Sequence, residues 1–286
     1  MWERRTDLAA ESVALAKKEK KILEEKGIIS RERVREGFSI SEVEIMETAA
    51  ANAIGKPVGR YITVTIGQLR DKFSTAVAIL GEELRSLLPA DAKNVLVIGL
   101  GNGALTADAI GPLAVGHVLP TRHLKDFPFA ASLSVCGAEV VGKSGIEAAE
   151  QAAALTHTLG ADALILIDAL AAQSAERLCT TVQLADSGLT PGSGVGNHRM
   201  ALNRETLGVP VIAVGVPTVV ESGSLVMDLL EEAGAPLPRR ETLREGFFVT
   251  PKDIDALAAQ FSRLIGWSIN GAVLGLSAEE SAALLG

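Results

Sequence analysis

The sequence predicts one α/β domain in which helices cover both faces of a mainly parallel sheet. Of its 286 residues, 48% are hydrophobic but only 3% are aromatic, so the core is built from small side chains that suit close packing of helices on a sheet. Continuous apolar runs alternate with segments of helix length, a pattern typical of parallel strands buried on both faces. Because no low-complexity linker interrupts the chain, we expect residues 1–286 to form a single domain.

The first 60 residues predict a helical extension packed on this domain. Thr6 and Asp7 are candidate N-caps of a first helix, which runs through a segment rich in Lys and Glu. Ser41 and Glu44 have the spacing of a capping box, which predicts the start of a second helix. We therefore expect residues 1–60 to be helical.

The rest of the chain alternates between predicted strands and predicted helices. Strands are predicted at 61–66, 94–100, 163–167, 179–184 and 209–216. Helices are predicted at 73–88, from about 108, at 145–159 after a capping box of Ser144 and Glu147, and at 251–265.

Two aspartates follow predicted strands. Asp108 lies a few residues after the strand at 94–100, and Asp168 directly follows the strand at 163–167. Parallel strands gather their carboxyl ends at one edge of a sheet, where ligands bind. Two carboxyl groups that lie close together do not both ionise easily, so one can act as a general acid and the other as a general base. Aspartate is also common as a structural cap in such places, and the spacing alone leaves both roles open.

Two glycine-rich segments are candidate binding loops. Residues 99–104 fit only the G-x-G-x-x-A form of the dinucleotide fingerprint, and residues 190–197 lack the Lys-Ser/Thr of a phosphate-binding loop, so we expect no cofactor. The glycines of the second loop either let backbone approach a bound peptide or build a tight turn. The candidate substrate-binding residues are Asn102, His123, Gly192, Ser193 and Gly194, although a loop histidine such as His123 more often makes only local hydrogen bonds.

Charge and cysteine content exclude several classes of protein. The net charge of −8 and the pI near 5.2 argue against binding of a nucleic-acid backbone. Two cysteines are too few for a disulfide scaffold or a structural zinc site. We expect no signal peptide and no membrane span, and therefore a soluble intracellular protein.

Nine sequence blocks are distinctive when they are read together. They are 5–9 (RTDLA), 97–102 (VIGLGN), 106–112 (TADAIGP), 121–123 (TRH), 167–172 (IDALAA), 186–188 (DSG), 191–197 (PGSGVGN), 208–220 (GVPVIAVGVPTVV) and 248–255 (FVTPKDID). In these blocks the chain resembles the germination proteases, and the blocks span almost the whole chain in the family's order.

The resemblance implies an endopeptidase that degrades small acid-soluble spore proteins at germination. It also implies a homotetramer, a location in the cytoplasm of the forespore and in the spore core, and a fold related to the hydrogenase-maturation proteases. The two aspartates proposed for catalysis in that family fall on Asp108 and Asp168, the pair at the predicted strand ends.

Three features depart from the family's pattern. Ala107 stands where the family has a proline before the aspartate. Germination proteases are made as zymogens, whereas only residues 1–4 precede the first matching block here, so we expect a form that is already mature or a different control. The segment between 220 and 248 is short for the family, which predicts a reduced gating or contact element.

Two alternative functions remain open at this point. The same fold could support a metal-dependent peptidase with Asp108, Asp168 and His123 as ligands, although no local metal-binding spacing exists. Alternatively, the chain could be a non-catalytic module that binds spore proteins in its glycine-rich groove.

Overall fold

Strands and helices alternate along most of the chain, as a computed structural model shows for residues 6–18, 27–67, 69, 72–124, 129, 131–193, 199–238 and 246–285. The strands are β1 (Ile28–Arg35), β2 (Phe38–Ile45), β3 (Gly59–Thr65), β4 (Asn94–Leu100), β5 (Ser132–Ala138), β6 (Ala163–Ala172), β7 (Thr181–Ala185), β8 (Val211–Glu221) and β9 (Phe248–Val249). The helices are α1 (Ala9–Lys18), α2 (Thr48–Ile54), α3 (Phe73–Leu87), α4 (Ile110–Ala114), α5 (Val141–Ser144), α6 (Ala148–Leu159), α7 (Arg204–Leu207), α8 (Ser222–Glu232), α9 (Ile254–Leu274) and α10 (Ala278–Leu285).

The strands form one mixed sheet in the order β1-β2-β3-β7-β8-β6-β4-β5, and β9 pairs with the end of β8. Strands β8, β6, β4 and β5 are parallel to one another, whereas the pairings β1-β2, β2-β3, β3-β7, β7-β8 and β8-β9 are antiparallel. The predicted α/β class is confirmed. The parallel arrangement holds for the half of the sheet that carries the continuous apolar runs, and the added antiparallel strands make the whole sheet mixed.

The prediction of a purely helical extension in residues 1–60 is wrong. Only α1 and α2 are helical among the described residues there, while β1 and β2 form a hairpin that pairs through β2 with β3. Glu36 and Gly37 both have positive φ values, as a two-residue hairpin turn of type I′ requires. Ser41 and Glu44 are strand residues of β2, and their spacing is not a capping box.

The burial pattern at the start of β2 agrees with a strand. Phe38 and Ile40 are buried while Ser39 between them is exposed, which follows the two-residue period of a strand. The apolar residues in this part of the chain therefore alternate across a sheet and do not form the stripe of a helix.

Helices cover both faces of the sheet, as predicted. On one face, α3, α4 and α9 pack on the side chains of β4 that include Val95 and Val97. On the other face, Leu96 and Ile98 of the same strand pack with α6. Helices α1 and α2 lie with β2 and Tyr61 of β3 in a separate cluster. Every residue of β4 after Asn94 is buried, which explains the unbroken apolar sequence of this strand.

Two helix starts differ from their predictions. The predicted helix at about 108 begins with a 3₁₀ turn over Thr106–Asp108 and continues as α4. The capping box of α6 uses Glu147 and Glu150, so Ser144 does not cap this helix and instead ends α5. None of the described helices combines the length and the apolar character that a membrane span needs.

Candidate active site

Asp108 and Asp168 lie at the same edge of the sheet and line one cavity of about 1320 Å³. Asp168 is part of β6, where it pairs with Gly215 of β8, and Asp108 ends the 3₁₀ turn that follows β4. Because β4 and β6 are neighbouring parallel strands, their carboxyl ends meet as the sequence predicted. The charge of Asp108 raises the pKa of Asp168, so the two groups interact electrostatically.

Two glycines allow the backbone to pack closely around the turn that carries Asp108. Gly101 has φ +121°, and a Cβ there would lie 2.2 Å from the carbonyl oxygen of Asp108. A Cβ at Gly111 would lie 2.2 Å from the carbonyl oxygen of Leu100 and 2.6 Å from that of Ile167. The loop after β4 can therefore fold back tightly over the ends of β4 and β6 only where side chains are missing. Gly101 of the first glycine-rich segment therefore allows the chain to fold back after β4.

The groups around Asp108 shift its pKa in opposite directions. Burial raises the pKa of its carboxyl group, while a hydrogen bond from the backbone N–H of Asn102 to Oδ2, 2.8 Å long, and the positive charge of Arg199 lower it. The charge of Glu139 makes a smaller contribution that raises this pKa. Asn102 therefore contributes its backbone to the site, whereas its side-chain oxygen accepts a hydrogen bond from the N–H of Ala104.

Asp168 has surroundings that favour its protonated form. Burial raises the pKa of Asp168 well above its ordinary value, and the negative charges of Asp108 and then Asp7 raise it further. The opposing contribution is one hydrogen bond from the N–H of Ala169 to Oδ1, 2.9 Å long. The site therefore holds two carboxyl groups that ionise at different pH: Asp168 ionises at higher pH than Asp108.

Asp7 also lines the cavity, and the sequence interpretation as an N-cap missed this position. Its Oδ2 accepts a hydrogen bond from the N–H of Ala171 at 2.9 Å, and its own N–H donates to the carbonyl oxygen of Ala171 at 2.8 Å. Its Oδ1 accepts a hydrogen bond from Ser193 Oγ at 3.1 Å. The signal that could have found Asp7 is its place within the family block at 5–9.

Two further side chains hold the segment around Asp7 in the cavity. The amide of Gln183 donates to the carbonyl oxygen of Asp7 at 2.9 Å and accepts from the N–H of Ala9 at 2.7 Å. Lys56 Nζ donates to the carbonyl oxygen of Thr6 at 2.9 Å. Burial lowers the pKa of Lys56, and the charges of Asp7 and Glu11 oppose that shift.

The five predicted substrate-binding residues have different outcomes, and Asn102 is not among the residues that line the cavity, although its backbone N–H binds Asp108. Gly192 and Ser193 line the cavity, whereas Gly194 lies outside the described residues. His123, a candidate both for substrate binding and for metal ligation, is not among the residues that line the cavity. It is exposed, next to Arg122, whose N–H donates to the carbonyl oxygen of Leu133 at the start of β5. Because β5 is parallel to β4, the chain must return to the amino-terminal ends of the strands before β5 begins. His123 lies at that edge of the sheet, whereas the aspartates lie at the carboxyl-terminal edge.

The metal-ligand set of Asp108, Asp168 and His123 is consequently not assembled. Among the residues that the structure describes, no three His, Cys, Asp or Glu side chains are grouped so that they could hold a metal ion.

Comparisons with known proteins agree with the sequence blocks. The family model for germination protease matches residues 5–233. A germination protease of Clostridium perfringens is 35% identical over 94% of this chain and 95% of its own length. That of Caldanaerobacter subterraneus is 36% identical over 98% of both chains, and that of Priestia megaterium is 41% identical over 79% of this chain and 66% of its own.

A solved structure of a [NiFe] hydrogenase maturation protease from Thermococcus kodakarensis aligns with 66% of this chain and 99% of its own. The identity is 18% and the TM-score 0.35, a likeness too weak to bear on function. The family model and the curated relatives, by contrast, cover most of the chain. They show that it belongs to the germination protease family of endopeptidases.

Proposed function

We propose that this endopeptidase degrades small acid-soluble spore proteins at germination and that Asp108 and Asp168 activate the attacking water. The observation that supports the mechanism is the shared cavity in which two carboxyl groups have different surroundings. Such a difference in pKa assigns acid and base roles to two chemically identical groups. Asp108 is the base, and Asp168 is the acid.

The reaction begins with Asp108 ionised and Asp168 protonated. The carboxylate of Asp108 removes a proton from water, the water oxygen bonds to the peptide carbonyl carbon, and Asp168 gives its proton to the carbonyl oxygen. The tetrahedral intermediate then collapses with cleavage of the C–N bond. Asp108 passes its proton to the leaving nitrogen, and Asp168 regains a proton from the hydroxyl group of the intermediate. Both residues thereby return to their starting states.

The dimensions of the cavity support a polypeptide substrate. Its volume of about 1320 Å³ exceeds the roughly 300–1,000 Å³ of pockets for small molecules. Thr6 and Asp7 line it, and their carbonyl oxygens accept hydrogen bonds from Lys56 and Gln183. The loop with Gly192 and Ser193 adds a wall in which backbone can approach a bound chain.

The chain is further proposed to work as a homotetramer in the spore core. The resemblance to the family supports this assembly and location. Large apolar side chains that are exposed among the described residues also support burial between subunits. They include Val226, Leu229, Phe247 and Phe248.

Cleavage of a purified small acid-soluble spore protein tests the proposed substrate. The chain is incubated with this protein in excess EDTA, with β-casein as a control that is also poorly folded, and the products are identified by mass spectrometry. We expect a few defined cuts in the spore protein and slow or no cleavage of casein. Equal cleavage of both proteins contradicts the proposed substrate, and activity that EDTA abolishes and zinc restores contradicts the metal-free mechanism.

A further inference from the structure

Strand β8 contains an irregularity next to the proposed catalytic pair. Its register with β6 pairs Leu170 with Pro217 and then Ala171 with Val219, so Thr218 is an extra residue without a partner on β6. Such a β-bulge redirects a side chain and is frequent beside active sites. The bulge lies on the strand adjacent to β6, which carries Asp168.

The backbone around the bulge has hydrogen-bond partners outside the parallel pairing of β6 with β8. Pro217 has no N–H to donate, and proline within a sheet is found at edges and bulges. Its carbonyl oxygen accepts a hydrogen bond from the N–H of Cys179 at 2.7 Å, and the carbonyl oxygen of Thr218 accepts one from Thr250 Oγ1 at 2.8 Å. The irregular backbone is therefore fixed in place by its neighbours.

The hydroxyl group of Thr218 reaches the turn that carries Asp108. Thr218 is fully buried, and its Oγ1 donates a hydrogen bond to the carbonyl oxygen of Ala107 at 2.6 Å. Ala107 directly precedes Asp108, and β8 lies beside β6, which carries Asp168. One hydrogen bond thus connects the turn of the first aspartate to the strand next to the second.

We propose that Thr218 is a positioning residue that sets the placement of Asp108 relative to Asp168. This inference rests on the proposed function, because it assigns Thr218 a role only through that pair. Without the hydroxyl group, the carbonyl oxygen of Ala107 loses a buried partner and the turn is held less firmly. The hydrogen bond from the N–H of Asn102 to Asp108 Oδ2 depends on the same turn.

The groups that face Asp108 determine how its pKa changes when the turn is held less firmly. Arg199 lowers the pKa of Asp108 and Glu139 raises it, while Asp168 and Asp108 interact with each other. The N–H of Asn102 also lowers the pKa of Asp108. Loss of that hydrogen bond therefore raises the pKa of Asp108.

The test compares Thr218→Val, which keeps the shape but removes the hydroxyl group, with Thr218→Ser, which keeps it. Thr156→Val is the matched control, because Thr156 is also buried and donates to a backbone carbonyl, that of Ala152 at 2.7 Å, within helix α6. We expect Thr218→Val to lower kcat by roughly 10- to 100-fold, as small misplacement of a catalytic group does, with KM little changed. Thr218→Ser and Thr156→Val should retain most of kcat.

The second readout is titration of the Asp108 carboxyl group by NMR, with its signal assigned from Asp108→Asn. Thr218→Val should raise the pKa of Asp108, and Thr218→Ser should leave it unchanged. A fall in kcat without a change in this pKa, or a change in pKa without a fall in kcat, overturns the proposal. If Thr218→Val does not fold, Thr250→Val replaces it, with shifts in the same direction expected and their absence overturning the proposal.

Failure of this inference is distinguishable from failure of the proposed function. Full activity of Asp108→Asn would contradict the aspartate pair itself. The effect of Thr218→Val on the titration of Asp108 would still report whether the hydroxyl group positions that side chain.

Discussion

Asp108 and Asp168 are chemically identical side chains whose surroundings give them different proton affinities. The carboxyl group of Asp108 accepts a hydrogen bond from the N–H of Asn102 and faces Arg199, whereas the half-buried Asp168 faces the charges of Asp108 and Asp7. Both pKa values are raised, that of Asp168 well above its ordinary value. The difference between the two sites supports the assignment of base and acid.

The pH dependence of activity follows from this assignment. Activity should rise with pH as Asp108 ionises and fall at higher pH as Asp168 loses its proton. The two apparent pKa values belong to the coupled pair, and both should exceed the ordinary range for aspartate. A profile of kcat/KM against pH measures them, and a profile with a single ascending limb would contradict the assignment.

The charge of Asp7 should influence the alkaline limb of that profile. Because this charge raises the pKa of Asp168, Asp7→Asn should move the alkaline limb to lower pH. Asp162→Asn is the control, since it removes the same charge from an exposed site at the amino-terminal end of β6, where Asp162 accepts hydrogen bonds from backbone N–H groups. An alkaline limb that Asp7→Asn leaves in place, or that Asp162→Asn moves equally, would rule out this influence.

At the scale of elements, the loop after β4 depends on the lack of a side chain at Gly111. A Cβ there would lie 2.2 Å from the carbonyl oxygen of Leu100, so Gly111→Ala should lower the free energy of unfolding by about 3 kcal/mol. Gly116→Ala is the matched control in the 3₁₀ turn that follows α4. A Cβ at Gly116 meets nothing within 4 Å, so that change should be neutral or stabilising by up to about 1 kcal/mol.

Urea unfolding of the two variants measures these differences. Gly111→Ala should lower activity as well as the free energy of unfolding, because the same loop carries Asp108. Equal stabilities for the two alanine variants would show that the loop yields to the added methyl group.

Strands β4, β6 and β8 of the parallel half could be predicted from the sequence because they are apolar on both faces, whereas β5, which is only partly buried, was missed. The apolar pattern alone predicts β4 and β6, and Asp108 and Asp168 are the aspartates that follow these predicted strands. The hairpin of β1 and β2 could not be predicted in the same way. Most of β1 is exposed and half of its residues are charged, and its residue Arg33 pairs with Glu83 of α3, which is distant in sequence.

The same limit applies to the site. Asp7 reaches the cavity through hydrogen bonds with Ala171 and Ser193, which lie 164 and 186 positions away, and no local pattern encodes them. The bulge at Thr218 likewise emerges only when β8 is paired with β6. His123 was misplaced because the sequence does not show at which edge of the sheet a loop residue lies.

At the scale of the whole molecule, the exposed apolar side chains of α8 and β9 predict association. Val226 and Leu229 of α8 are exposed, as is Phe248 of β9. We expect a homo-oligomer, with a mass about four times the 29.8 kDa of one chain for a tetramer. Light scattering coupled to gel filtration measures the mass, and a monomer at micromolar concentration would contradict the prediction.

Cleavage of a small acid-soluble spore protein by Asp108→Asn and Asp168→Asn tests whether the aspartate pair is catalytic. Asparagine keeps the size of the side chain but cannot exchange the proton, and loss of a general acid or base typically costs about 10²- to 10⁴-fold in rate. Each variant should keep the circular dichroism spectrum of the parent and lose nearly all of kcat. The double variant should be no slower than the slower single variant, because the pair acts as a unit. More than about a tenth of the parent's activity in either folded single variant would contradict catalysis by the aspartate pair.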